Sequence, residues 1–80
     1  MKLKLIGDAA MYVKDYIYGK NQIIDSSHTE FTILSCEMQY KNNIINFVLG
    51  FGGDCEVLEP EWLKEEVVNK AQVIIAKNKK

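Results

Sequence analysis

Gly50-Phe51-Gly52-Gly53-Asp54-Cys55-Glu56-Val57-Leu58-Glu59-Pro60-Glu61-Trp62-Leu63 decides how the rest of the chain is read. The Gly52-Gly53 pair ends an apolar helical pattern, because glycine tolerates the left-handed backbone that follows a helix. Cys55 to Leu58 is a short run, apolar enough to lie in a sheet. Pro60 then opens a helix, where its missing N–H is no loss. Glu61, Glu65 and Glu66 follow, placing negative charge near the positive end of that helix. Helix, glycine pair, strand, proline and helix form one tight unit. It holds no catalytic or metal-ligand pattern.

Upstream of this unit, Tyr40 to Phe51 has helical spacing, with Ile44, Val48 and Phe51 on one stripe and Ile45 and Leu49 widening it. Before it, Glu30–Met38 is the longest strand pattern, with Phe31 and Ile33 on one side and Leu34, Cys36 and Met38 on the other. Gln22–Asp25 reads as a short strand, and Ser26-Ser27-His28 as a turn. At the start, Lys2 to Ile6 alternates with Leu3 and Leu5 on one face, a strand broken at Gly7-Asp8. Asp8 is suited to cap a helix. Ala10, Val13 and Ile17 extend that helix over Ala9–Tyr18, with Gly19 as its stop. Downstream, Leu63, Val67, Ala71 and Ile74 predict the buried stripe of a last helix from Pro60 into Lys77.

The order β-α-β-β-α-β-α predicts an α+β fold of the ferredoxin-like βαββαβ kind. Its four-stranded antiparallel sheet takes the order 4-1-3-2, with two helices on one face and an added C-terminal helix. Residues 1–80 make a single domain. The third strand is central, and both its faces look apolar. Two crossover helices can cover only one face, so the other needs the last helix or another chain. That argument predicts a homodimer, with Leu34, Cys36, Met38, Trp62 and Ile74 as candidate interface residues.

Composition removes several functions. Net charge is −1, and all ten basic residues are lysine. Without arginine there is no bidentate grip on phosphate or guanine, so strong direct DNA binding is not expected. Lys77, Lys79 and Lys80 read as a solubilising tail, and with Lys70 they are expected to bind DNA only weakly and without sequence preference. The single histidine, His28, lies in a polar turn with no partner at ligand spacing, so no metal and no cofactor are expected. Asp54, Glu56 and Glu59 form an acidic run that reads as a solvated edge. Cys36 and Cys55 read as reduced, apolar side chains. No membrane-spanning stretch or signal peptide is visible, which places the expected compartment in the cytoplasm. No enzyme activity is predicted.

The stretch Leu49 to Pro60, followed by Leu63 and Val67, resembles WCX, the C-terminal extension of bacterial WYL-domain transcriptional regulators. Phe51, Gly52, Gly53, Val57, Pro60 and Leu63 carry the likeness, and these positions are structural. The opening strand, the Ala-rich helix and Tyr18-Gly19 agree with it in order and spacing. The resemblance implies a fragment of a larger regulator whose other parts are a helix-turn-helix that binds DNA and a WYL domain that binds an effector. It further implies a non-catalytic regulatory and oligomerisation domain that helps form the effector-sensing region. The competing reading is a free-standing ferredoxin-like module that senses a small molecule.

Overall fold

The structure, a computed structural model, describes residues 1–79. Four strands, β1 (Lys2–Leu5), β2 (Lys20–Asp25), β3 (Thr32–Glu37) and β4 (Cys55–Glu59), form one sheet in the order β2-β3-β1-β4. Every neighbouring pair is antiparallel. Helix α1 (Gly7–Tyr12) follows β1, α2 (Lys41–Leu49) follows β3, and α3 (Glu61–Asn78) follows β4. The α+β ferredoxin-like arrangement, with β1 and β3 central, is the one the element order predicts.

Alternation along the central strands sets the two faces of the sheet. Leu3 pairs with Leu34 and Val57 across three strands, and Leu5 pairs with Thr32. These side chains are buried against Ala9 and Val13 below α1, Ile44, Ile45 and Val48 of α2, and Leu63 of α3. All three helices therefore share one face. The last helix does not cross to cover the other.

That open face differs from the apolar surface expected of it. Register places Asp25, Ile33, Lys4 and Glu56 in one row across the four strands. Lys4 also lies over the Phe31 ring, 4.7 Å from its centroid. Charged side chains thus alternate with apolar ones, and Ile23, paired with Ser35 on this face, is exposed. Leu34 and Cys36 point into the core and Met38 packs at its margin, so the first two offer no surface to a partner. The cause is register: the strand's more apolar set is the one beneath the helices.

Boundaries also move: β2 starts at Lys20 rather than Gln22, and β3 spans Thr32–Glu37 rather than Glu30–Met38. Helix α1 ends at Tyr12 and passes through a 3-10 turn, Val13–Asp15, leaving Ile17 outside any helix and 89% exposed. Gln22 explains the exit: its Nε2 donates to the Tyr16 carbonyl at 2.8 Å, and its Oε1 accepts from the Tyr18 N–H at 2.6 Å. A β2 side chain thus holds the returning loop in an extended path. Tyr-Ile-Tyr offers little helix propensity to oppose it. Gly19 is then required for close approach, since a Cβ there would sit 2.3 Å from the Glu37 carbonyl oxygen. Asp8 stands in the first turn of α1, while Ile6 occupies the capping position. Helix α2 stops at Leu49, and Gly52, with φ +61°, starts a second 3-10 turn into β4.

Candidate functional site

The acidic residues, cysteines and histidine do not assemble into a reactive centre. Among the described residues no group of three His, Cys, Asp or Glu side chains could hold a metal ion. His28 stacks on Phe31 at 4.2 Å between ring centroids, at the exposed end of the β2–β3 hairpin. Burial pushes the Cys55 thiol up to about 11, helped by the charge of Glu56, and burial raises Cys36 as well. Neither forms a disulfide. Both are held as neutral thiols, the inert state of a packed cysteine. Asp25 accepts from the Ser27 hydroxyl at 2.6 Å and the Ser27 N–H at 3.0 Å, which lowers its carboxyl below the usual range. That is a turn-forming contact.

The clefts are shallow. The largest described, about 380 Å³ along Glu61, Lys64, Glu65, Val68 and Asn69 of α3, is an open surface groove rather than an enclosed site. Another, of about 190 Å³, lies between Lys4, Ile6, Gly53, Asp54, Cys55 and Glu56. Lys4, Asp54 and Glu56 give it mixed charge with no preferred ligand sign.

The distinctive surface lies on α3. Pro60 accepts from the N–H groups of Leu63 and Lys64, starting the helix. Leu63 is completely buried and Val67 packs against the core. Past Ala71 the helix runs on while the body of the domain does not. The molecule measures 41 × 26 × 20 Å as a result. Ile74, predicted as part of the buried stripe, is 49% exposed, and Ile75 is 59% exposed beside Val68 and Val73. Trp62 stands on the flank toward α2, partly exposed, with the Lys41 ammonium 5.6 Å from its ring centroid. A second set of exposed apolar side chains, Met11, Tyr12, Tyr16 and Ile17, lies at α1 and the segment after it. Tyr12 and Tyr16 are legible in the sequence as an aromatic supply for a binding surface, whereas Ile75 and Met11 were missed. The consecutive Val73-Ile74-Ile75 run was the available signal, since three adjacent apolar residues on a helix cannot share one face.

Of the residues singled out for the likeness, Phe51 is half-buried, Val57 and Leu63 are in the core, and Gly52 takes its left-handed turn. Lys77 and Lys79 are exposed; Lys80 lies outside the described residues. No described helix is long and apolar enough to cross a membrane.

Fold and surface together define a small ferredoxin-like domain with exposed apolar side chains on α3, on α1 and the loop after it, and on β2. The WCX domain family model matches residues 1–75 of the chain, and the chain belongs to that family. No curated protein and no solved structure matches it significantly.

Proposed function

We propose that the chain is the non-catalytic C-terminal regulatory and oligomerisation domain of a WYL-type transcriptional regulator, where it helps form the effector-sensing region. The match to the WCX family over residues 1–75 carries this reading. The exposed end of α3 supports it, because an apolar helix end of this kind is what an assembly element presents. The charged open face of the sheet does not favour the alternative, a sensor holding its ligand between stacked sheets. The partners are the WYL and helix-turn-helix parts of the same regulator and a second copy of this domain. Action is cytoplasmic, on the regulator rather than on DNA, and the lysines of α3 touch nucleic acid weakly at most.

Deleting the domain from a full-length regulator that carries it tests the proposal. Operator binding without effector should persist in some measure. The effector-dependent change in promoter output should fall at least about tenfold, the equivalent of 1.4 kcal/mol of coupling. An unchanged response, or a gene encoding these 80 residues alone, would remove the regulatory reading.

A further inference from the structure

We propose that α3 pairs antiparallel with α3 of a second copy through the stretch from Glu65 to Lys77, with Ala71 at the two-fold axis. The proposal rests on reading the chain as an assembly domain, and it specifies the partner and the geometry.

Exposure gives the first argument. Val73, Ile74 and Ile75 leave the helix in three directions about 100° apart, and each is roughly half exposed. Ala71 and Ala76 fill the gaps between them. Lys70, Gln72, Lys77 and Asn78 project between them as well, so the apolar surface is a broad flank that a second helix can cover in part. Spacing gives the second. Val68, Ala71 and Ile75 recur at intervals of three and four, the seam of paired helices, and an alanine at the middle lets two backbones approach closely. Charge gives the third, and it selects both partner and direction. Glu61, Glu65 and Glu66 lie in the first two turns with one lysine, Lys64, among them, and no acid follows Glu66, whereas Lys70, Lys77 and Lys79 come later. Parallel pairing sets acids beside acids and lysines beside lysines. Antiparallel pairing sets each acidic half against a basic half. A two-fold interface must be self-complementary, and this charge order meets that requirement with a second copy of the same helix. With Ala71 on the axis, Val68 is level with Ile74 of the second copy and within one residue of its Ile75, and Glu65 is level with its Lys77.

Light scattering on the 80-residue chain at ~10 and ~100 μM reads the assembly, whose population must rise with concentration. A dimer is expected. Ile75→Asp and Val68→Asp should each weaken it at least about 30-fold, with the far-ultraviolet circular dichroism of the folded domain retained, because both side chains are already half exposed in one copy. Cysteine pairs then read the direction. The Val68→Cys/Ile75→Cys double variant, oxidised with diamide, should form a disulfide-linked dimer. Each single variant should not, since the two copies of position 68 lie about 10 Å apart along the axis, beyond the ~7 Å a disulfide spans. Wild type is the control, with Cys36 buried and Cys55 half-buried. A dimer that survives both Asp variants overturns this geometry and leaves the assembly reading standing. Linkage of Val68→Cys alone indicates parallel helices and overturns the proposed direction. A wild-type monomer at both concentrations overturns the assembly reading itself.

Discussion

The two halves of α3 have the same helical spacing and opposite environments. Leu63 and Val67, in the first half, sit over β4 and beside α2, where the sheet and α2 enclose them. Ile74 continues their stripe seven residues beyond Val67, and it meets solvent. Nothing in the side chains explains the difference: leucine, valine and isoleucine bury with similar gain per unit area. What differs is whether any sheet remains beneath. The strands are four to six residues long, while α3 has eighteen. Periodicity therefore specifies which face of a helix is apolar. The length of the neighbouring elements specifies how much of that face its own domain can use.

The sharpest break between the halves comes from cutting each side chain to alanine. Leu63→Ala should cost about 3 kcal/mol, from lost transfer energy and the cavity left in a completely enclosed site. Ile74→Ala in dilute, monomeric protein should stay below about 1 kcal/mol, because half of that side chain is already in water. Urea unfolding at low protein concentration measures both. Equal costs would mean that the end of α3 folds back onto its own domain.

The same contrast shows what could be read beforehand. Element order, the antiparallel sheet with β1 and β3 central, the left-handed Gly52 and the buried Leu63 were all legible, because each depends on local chemistry or on pairing rules. Leu34 and Cys36 were misassigned to a possible interface because a strand apolar on both sides does not say which side the helices take. Ile17 was misread because its helix ends through Gln22, a contact made from another element. Ile74 was misread because spacing carries no information about where a domain stops. Local patterns were reliable; quantities set by a distant neighbour were not.

A second, smaller effect belongs to the edge of the packed body, where Cys55 is half-buried. Its thiol is pushed up to about 11 in the folded chain, against 9.0 for the unperturbed group. Between those values the unfolded chain releases a proton that the folded chain keeps, so the unfolded state binds fewer protons and stability falls as pH rises. The contribution is fully present below pH 9.0 and is lost on approach to about 11. That displacement corresponds to at most about 3 kcal/mol, and to less because water reaches the half-buried thiol. Comparing wild type with Cys55→Ala isolates it from tyrosine and lysine titration: the gap between their unfolding free energies should narrow from neutral pH to the alkaline limit. A constant gap would show that this thiol is not held neutral by burial.

The smallest effect concerns the one place where α2 and the packed half of α3 meet through charge. Lys41 lies 3.5 Å from Glu66 and 5.6 Å from the Trp62 ring centroid. Geometry alone would make it a clamp between the helices. Its setting argues otherwise, since both charged side chains are well exposed, at 62% and 36%. Water screens such a pair, and holding two long side chains in place cancels much of the attraction. The contact with Trp62 is near the outer limit for a cation and a ring, and it is worth about 0.5 kcal/mol in an exposed position. Lys41→Ala should therefore cost no more than about 0.5 kcal/mol, with little dependence on salt, when followed by thermal unfolding. A loss approaching that of Leu63→Ala would mean that α3 is held to the body by its polar flank. The buried stripe would then matter less than its position under the sheet implies, and the difference between the two halves of α3 would lie in charge rather than in burial.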